Sequence, residues 1–292
     1  MSQDDGNGGN GGTGTTGYGT GKADVVLSVD EVARQAQAIG GEVPPERIAE
    51  LAGGPPIVSI EGLVAGYGKM EILHGFSLAL AKGRSLCLIG PNGAGKSTVL
   101  HSIYGFTRIF GGAIVVDGQD VTALSPNQKL QTAKIAYILQ DNSVFPDMTV
   151  TENLLMGGYL LPSGRAAHEA AERVLEKYPR LAARRNERAG VLSGGERRLL
   201  EISRALIMEP EVLLVDEPSI GLEPRFIDMV FEILGQLQHE DGKTIIMVEQ
   251  NAKKGLEFAD VGYVLVSGAL ALAGPGDALL QNEEVGRLFL GG

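Results

Sequence analysis

Apolar and polar positions follow two different periods along the chain from Ile57 onward. Apolar runs of about four to eight residues are typical of strands, and three-to-four-residue spacing is typical of helices. The predicted strands are Ile57–Val64, Ser77–Leu80, Ser85–Ile89, Ala113–Val116, Lys134–Leu139, Val212–Val215 and Thr244–Val248. Helices are predicted from near Gly95, over Gly194–Met208 and Pro224–Gln238, and through a mostly helical region from about Thr151 to Arg188. Strands that alternate with helices predict an open, mainly parallel α/β sheet, which residues 141–190 interrupt as an inserted helical lobe.

The first 56 residues differ from the rest of the chain in composition and pattern. Residues 1–23 are rich in glycine, and this composition predicts a disordered tail because it cannot bury enough apolar surface. In residues 24–56, Ser28 and Glu31 have the spacing of a capping box, and Pro44–Pro45 and Gly53–Gly54 bracket a second short helix. The sequence leaves two interpretations open for this stretch: a small helical appendage, or a segment that folds only on a partner.

Composition narrows the class of protein. The 292-residue chain has a formal net charge of −11, which argues against broad, sequence-independent binding of nucleic acid. The single cysteine, Cys87, rules out an internal disulfide framework and lies in an apolar run, so it is predicted to be a core residue. We expect no secretory signal and no membrane-spanning segment, because no apolar run approaches the roughly 18–20 residues that a span requires.

The segment GPNGAGKST, from Gly90 to Thr98, fits the pattern G-x-x-x-x-G-K-[ST] directly after a strand and at the start of a helix. Backbone N–H groups in such a loop surround a phosphate, and the helix N-terminus adds favourable partial charge. We expect Lys96 to reach the β- and γ-phosphates, Ser97 to ligate Mg²⁺ and Thr98 to support the phosphates. The loop residues predicted to contact nucleotide are Gly90, Pro91, Asn92, Gly93, Ala94, Gly95, Lys96, Ser97 and Thr98.

Two carboxylates follow the strand VLLVDEP, at Asp216 and Glu217. Ligands of open α/β sheets bind at the carboxyl ends of the strands, so both side chains are expected beside the phosphate loop. Asp216 suits a water-mediated contact with Mg²⁺, and Glu217 suits a base that polarises an attacking water.

A second glycine-rich helix start, LSGGE, spans Leu192 to Glu196, about a hundred residues beyond the first. We predict that Ser193, Gly194, Gly195 and Glu196 form another anion site at a helix N-terminus. One nucleotide has no evident use for two such sites in one subunit. A head-to-tail dimer with two-fold symmetry does, because each nucleotide then lies between the two sites of different chains. The guanine-recognition pattern N-K-x-D is absent from the sequence.

These motifs, in this order, make residues 57–292 resemble the ATP-binding subunit of an ABC transporter. The resemblance implies a RecA-like P-loop NTPase core with a parallel sheet, an antiparallel β subdomain and an inserted helical lobe. It also implies that Tyr67 stacks on adenine, that Gln140 links Mg²⁺ and the water site to the helical lobe, and that Pro218–Pro224 acts across the dimer. In MVEQNA, Gln250 replaces the switch histidine of the wider family, as in subunits that serve branched-chain amino acid and amide or urea importers.

The implied function is ATP hydrolysis that drives import, with Lys96, Glu217 and Gln250 as catalytic residues. The implied cofactors are ATP and Mg²⁺, the latter held by Ser97, Gln140 and Asp216. The implied partners are a second ATP-binding subunit, identical or paralogous, membrane permease subunits and, indirectly, a solute-binding protein, with no nucleic acid. The expected location is the cytoplasmic face of the cell membrane. Two alternatives remain at this point: a soluble ABC ATPase that remodels a non-membrane partner, and a regulatory module that holds ATP without hydrolysing it.

Overall fold

The computed structural model describes residues 43–140 and 143–289, which contain ten strands in two sheets. The strands are β1 Pro56–Tyr67, β2 Met70–Ala81, β3 Ser85–Ile89, β4 Arg108–Val116, β5 Gln119–Asp120, β6 Ile135–Ile138, β7 Val212–Asp216, β8 Thr244–Val248, β9 Val261–Val266 and β10 Ala269–Pro275. The helices are α1 Pro45–Ala52, α2 Lys96–Tyr104, α3 Pro126–Gln131, α4 Val150–Gly157, α5 Gly164–Lys177, α6 Pro179–Ala182, α7 Gly194–Leu206, α8 Pro224–His239, α9 Ala252–Phe258, α10 Gly276–Leu280 and α11 Glu283–Phe289.

The larger sheet has the order β10-β9-β3-β8-β7-β6, and all of its neighbouring strands are parallel except β10 with β9. Every residue of β3, β7 and β8 is buried, as expected when helices cover both faces of a parallel sheet. Leu86 and Leu88 belong to the core on the α2 side, while Cys87 and Ile89 belong to the core on the α7 and α8 side. The prediction of a mainly parallel α/β sheet is confirmed, and so is the buried position of Cys87.

The smaller sheet, β2-β1-β4-β5, is antiparallel. Its buried residues form one core with α2 and the facing side of the larger sheet. The phosphate-loop helix therefore lies between two sheets, which fixes its position relative to Tyr67 at the end of β1.

Helices α4, α5 and α6 fall within residues 141–190, the stretch predicted as a helical lobe, and a 3₁₀ turn at Ala189–Val191 lies at its end. Helix α4 begins at a capping box in which the side chains of Thr149 and Glu152 accept hydrogen bonds from each other's backbone N–H groups. The core of this region includes Val150, Leu154 and Leu175, which belong to the same cluster as the adjoining face of the larger sheet.

The helix predicted between the prolines and glycines near residue 50 is present as α1, with Gly53 in the left-handed conformation just after its end. Helix α1 packs on the domain, because Leu51 belongs to the core of the smaller sheet. Arg84 also donates a hydrogen bond to the carbonyl oxygen of Leu51 at 2.9 Å. The glycine-rich tail 1–23 and the capping box at Ser28 and Glu31 lie outside the described residues.

Several strands are longer than predicted. Strand β2 begins at Met70, whereas its prediction began at Ser77, and β4 begins at Arg108, whereas its prediction began at Ala113. The early parts of both strands pair with β1 across irregular register shifts, and the exposed positions there hide the alternation that identifies a strand. The pattern also gave no assignment to β9, β10 and the three helices around them.

Candidate functional site

The phosphate loop joins β3 to α2 and has a backbone that requires glycine. Gly90 has φ = +146°, and a Cβ at this position would lie 2.2 Å from the carbonyl oxygen of Leu265. Gly95, the N-cap of α2, has φ = +98°. A side chain at Gly90 would collide with the neighbouring strand β9, so the close approach of two backbones explains this residue.

The Lys96 side chain lies inside the loop, where its ammonium group donates to the carbonyl oxygens of Gly90 at 2.9 Å and Pro91 at 3.0 Å. Only 7% of the residue is exposed. Burial lowers the pKa of Lys96, and the nearby carboxylates of Glu217 and Asp216 oppose that shift. A largely desolvated cation at the centre of a loop of backbone donors is suited to binding a polyphosphate.

Asp216 ends strand β7, and both of its carboxylate oxygens accept hydrogen bonds. Ser97 donates to Oδ1 at 3.1 Å, and Tyr137 donates its hydroxyl to Oδ2 at 2.7 Å. The serine and the aspartate predicted as magnesium ligands are therefore neighbours. Tyr137 holds the other oxygen of the aspartate, and no role was predicted for this tyrosine from the sequence.

Glu217, the next residue, has φ = +42°, a left-handed conformation that is uncommon for a residue with a side chain. Its N–H donates to the carbonyl oxygen of Val248 at 2.8 Å, which ties the residue to the end of β8. Burial raises the pKa of the Glu217 carboxyl, and the charge of Asp216 raises it further, whereas Lys96 lowers it. Such a shift strengthens a carboxylate as a proton acceptor near neutral pH.

The register of the parallel strands brings the four predicted motifs to one edge. Strand β8 lies between β3 and β7, with Val248 opposite both Leu88 and Asp216. Strand β6 lies on the far side of β7. The carboxyl ends of these four strands therefore lead directly into the phosphate loop, Glu217, Gln140 and Gln250.

Gln140 and Gln250 differ in their contacts. Gln140 donates from Nε2 to Glu217 Oε2 at 2.9 Å, so the amide and the carboxylate predicted to act together are in contact. Gln250 is exposed, and its side chain forms no hydrogen bond with any residue in the described part of the chain. Its backbone carbonyl accepts from Ala252 at 3.0 Å. The Gln250 side chain is therefore free to meet a ligand at this edge.

Tyr67, at the end of β1, is 44% exposed and contacts the helix that follows the phosphate loop. Its hydroxyl lies 2.5 Å from His101 Nδ1, and the two rings meet edge to face with centroids 6.1 Å apart. His101 also contacts the rings of Phe106 and Tyr137. An exposed ring in this position is available to stack on a planar base.

The second glycine-rich motif starts α7, where Ser193 and Glu196 form a capping box. Glu196 Oε2 accepts from the Ser193 N–H at 2.9 Å and from Arg184 at 2.7 Å; although burial opposes them, these bonds lower the pKa of its carboxyl. Gly195 also has a packing role, because a Cβ there would lie 2.3 Å from the Phe226 ring on α8. No hydrogen bond joins Ser193–Glu196 to the phosphate loop among the residues described.

The side-chain oxygens of Ser97 and Asp216 fit the coordination of a Mg²⁺ ion that is shared with a nucleotide. In the described ranges, no group of three or more His, Cys, Asp or Glu side chains could hold a metal ion by itself. Mg²⁺ in nucleotide sites keeps waters and uses one or two protein oxygens together with phosphates. The hydroxyl of Ser97 and the carboxylate of Asp216, already 3.1 Å apart, are oxygen donors of this type.

Three polar contacts near the edge, counting that of Tyr137, were not predicted. Besides Tyr137, they are a buried carboxylate at Glu249, which accepts hydrogen bonds from Ser219 and Asn251, and a buried ion pair between Arg198 and Glu201. The sequence does show Glu249 at the point where an apolar strand ends, but its partner lies 30 residues away and is visible only in the fold.

Comparison with known proteins gives the same family for most of the chain. The model of the ABC transporter family matches residues 73–220. The high-affinity branched-chain amino acid transport ATP-binding protein BraG of Pseudomonas aeruginosa is 41% identical over 236 residues, which cover 81% of this chain and 100% of BraG. The probable branched-chain amino acid transport ATP-binding protein LivF of Archaeoglobus fulgidus is 36% identical and covers 78% of this chain and 96% of its own.

A solved structure agrees with these relatives. The ADP conformation of MJ1267, an ATP-binding cassette of an ABC transporter, aligns with a TM-score of 0.71 and 29% identity over 81% of this chain and 99% of that chain. The chain has the fold of such a cassette, including the mixed arrangement of a parallel and an antiparallel sheet. It belongs to the ABC transporter family and is a nucleotide-binding ATPase.

Proposed function

We propose that this chain is the ATP-hydrolysing subunit of an importer that takes up branched-chain amino acids or related small amides through separate membrane subunits. The observation that carries the proposal is the register of β6, β7, β8 and β3, which brings Gln140, Glu217, Gln250 and the phosphate loop to one edge. The choice of solute rests on the identity to BraG and LivF. Residues 57–292 form the ATP-binding domain in this proposal.

Each residue at the edge has a distinct role in hydrolysis. Tyr67 stacks on the adenine, and the loop Gly90–Thr98 binds the phosphates. Glu217 polarises the attacking water, since its raised pKa favours proton acceptance and its carboxylate already contacts Gln140. Gln250 contacts the γ-phosphate side, where its amide N–H group can donate to a phosphate oxygen while its carbonyl accepts from water.

Mg²⁺ would neutralise charge on the phosphates. Ser97 and Asp216 would hold it, with Gln140 approaching through its amide oxygen. Tyr137 keeps the Asp216 carboxylate oriented toward Ser97, because it occupies the other carboxylate oxygen.

The site is completed by a second copy or a paralogous subunit. Ser193, Gly194 and Gly195 form a helix N-terminus that has no hydrogen bond to the phosphate loop of its own chain among the described residues, so they are positioned to serve a different chain. In a two-fold dimer this helix start faces the partner's nucleotide.

The membrane subunits dock on a groove beside the helical lobe. A cavity of about 330 Å³ lies between β6 and helices α4 and α7, and it is bounded by the exposed apolar side chains of Leu139, Phe145, Met156 and Tyr159. No helix in the described ranges is long and apolar enough to cross a membrane. An amphipathic loop from a permease fits this groove, which adjoins Gln140, and such docking would hold the chain at the cytoplasmic face of the membrane. A solute-binding protein would act indirectly, through the permease.

The test is assembly and stimulated turnover. We expect the chain to co-purify in detergent with the hydrophobic permease subunits of the importer, and leucine with a binding protein to stimulate ATPase activity in proteoliposomes. A chain that hydrolyses ATP but binds only a soluble partner would support the remodelling alternative instead.

The groove itself is tested by Phe145→Asp. Phe145 is 42% exposed and stacks with Arg204, and Phe110 on β4 is a matched control because it is 36% exposed and stacks with Arg108. We expect Phe145→Asp to lose co-purification and keep nucleotide binding, while Phe110→Asp keeps both. Equal assembly of the two variants, or unfolding of Phe145→Asp alone, would assign Phe145 to packing within the lobe.

A further inference from the structure

We propose that Glu249 is a positioning residue that fastens the segment containing Gln250 to the segment Pro218–Pro224, so that the two move as one unit during hydrolysis. Its carboxylate accepts three hydrogen bonds from these segments: from the Ser219 hydroxyl at 2.8 Å, from the Ser219 N–H at 3.3 Å and from the Asn251 N–H at 2.8 Å. The inference rests on the roles proposed above for Gln250 and for Pro218–Pro224.

Glu249 is a buried carboxylate that depends on the hydrogen bonds it accepts. Only 1% of the residue is exposed, and no lysine or arginine in the described part of the chain forms an ion pair with it. A buried carboxylate without a cation is costly unless several donors stabilise its charge. The two donor segments supply that stabilisation only while both stay in place, so displacement of either one leaves a buried charge partly unsatisfied.

The surroundings hold Glu249 firmly. Helix α9 approaches through Gly255, where a Cβ would lie 2.6 Å from Cys87 Sγ and 3.0 Å from Glu249 Cβ. The stem of Glu249 is therefore held between strand β3 and this helix. With its stem packed in this way, the carboxylate keeps all three hydrogen bonds only if the two segments shift together.

The two residues that donate hydrogen bonds to Glu249 lie next to residues proposed to act in hydrolysis. Asn251 follows Gln250 directly, and Ser219 lies two residues after Glu217. A displacement of Gln250 toward a γ-phosphate therefore pulls on the segment that leads from the proposed base toward the partner subunit. Glu249 itself contacts no phosphate and no water of the reaction in this scheme, which is why its role is one of positioning.

The experiment separates turnover from nucleotide binding. Glu249→Gln keeps the size of the side chain and one accepting oxygen, but its amide N–H₂ group faces a donor at the third hydrogen bond. We expect kcat to fall about tenfold or more while the affinity for a fluorescent ATP analogue changes less than about threefold, because the binding loop is untouched. Ser219→Ala should lower kcat in the same way, and the double variant should be no slower than Glu249→Gln alone.

A control with the same number of hydrogen bonds lies at the opposite end of the same sheet, where the Asp260 side chain is 34% exposed and 3.8 Å from Arg84. Asp260 also accepts three hydrogen bonds, from the Ser85 N–H, the Ser85 hydroxyl and Gln238. Asp260→Asn should lower the melting temperature without lowering kcat. If it lowers kcat as much as Glu249→Gln at the same loss of melting temperature, the effect is one of general stability and the proposal is wrong.

The remaining outcomes are also decisive. Wild-type kcat in Glu249→Gln, or losses that add independently in the double variant, would overturn the proposal. If Glu249→Gln does not fold, Ser219→Ala decides alone, since it removes one hydrogen bond and no charge. Glu217→Gln is measured in parallel: if it keeps wild-type turnover, the proposed site has failed, whereas normal turnover in Glu249→Gln alone means that only the positioning role has failed.

Discussion

Asp216 and Glu217 are adjacent carboxylates with opposite environments. Both oxygens of Asp216 accept hydrogen bonds, whereas Glu217 has one amide contact, a left-handed backbone and a raised carboxyl pKa caused first by burial and then by Asp216. At the end of β7, Asp216 is therefore suited to binding a metal ion, and Glu217 is suited to accepting a proton. The two roles were predicted from the motif, whereas the different hydrogen bonds and burial of the two carboxylates are visible only in the fold.

This environment predicts a pH-dependent effect of Glu217→Gln on stability. Because the folded-state pKa of Glu217 is raised, its charge destabilises the folded protein at neutral pH, and the penalty disappears below the ordinary value of 4.5, where the carboxyl is neutral in both states. Without nucleotide, the variant should melt at a higher temperature than wild type at pH 7. The gain should shrink as the pH falls toward 4.5. A lower melting temperature at pH 7 would show that the charge is stabilised after all.

Gln250 provides a second prediction for a single residue. Its side chain is exposed and forms no hydrogen bond with the described residues around it. Gln250→Ala should therefore bind ATP almost normally and hydrolyse it much more slowly. Gln250→His should keep partial activity and gain a pH dependence between about 5.5 and 7.5, because imidazole titrates there and an amide does not. Steady-state rates across that pH range measure both. Wild-type turnover in Gln250→Ala would leave this residue without a catalytic role.

At the scale of elements, a buried ion pair connects α7 to the end of β6. Arg198 and Glu201 are both 4% exposed and lie 2.8 Å apart. Arg198 donates to the Leu139 carbonyl at 2.6 Å, and Glu201 accepts from the Ser143 N–H at 3.1 Å. The pair therefore holds the chain before and after residues 141–142, next to the groove proposed for the permease.

Removal of one partner should be costly. Glu201→Ala leaves a buried guanidinium without its carboxylate, and we expect a loss of about 3–5 kcal/mol in the free energy of unfolding. The double variant Arg198→Met/Glu201→Leu should recover much of that loss, because no charge remains buried. The exposed pair Arg165 and Glu169 on α5 is the control, and breaking it should cost less than about 1 kcal/mol in urea unfolding. Equal losses for the buried and exposed pairs would contradict this account.

The elements also show what could be predicted from the sequence. The strands β3, β7 and β8 were predicted within one residue, because each is a short apolar run that ends at a motif, and the meeting of their carboxyl ends followed from parallel pairing. The irregular early parts of β2 and β4 were missed because their exposed positions break the alternation. Tyr137, Glu249 and the Arg198–Glu201 pair were missed because their roles depend on residues that are distant in sequence or on the burial that the fold provides.

At the scale of the whole molecule, the account requires a second subunit. Ser193→Arg should place a bulky cation at the start of α7 and block closure on the partner's nucleotide, and Lys96→Ala should weaken nucleotide binding itself. Mixed together, the two inactive variants form heterodimers in which one composite site carries both substitutions and the other carries neither. We expect some ATPase activity to return on mixing. Normal ATP-dependent closure in Ser193→Arg would contradict the proposed arrangement.

In the proposed mechanism, ATP is hydrolysed at this edge of the sheet, Glu217 acts as the base and a second chain closes the site. The most direct measurement is ATP turnover together with ATP-dependent dimerisation of Glu217→Gln, followed by size-exclusion chromatography. We expect turnover to fall by about 10²–10⁴, the range for loss of a general base, while ATP and Mg²⁺ convert the variant to a stable dimer with bound nucleotide. Near-normal turnover, or a variant that binds ATP and stays monomeric, would contradict it.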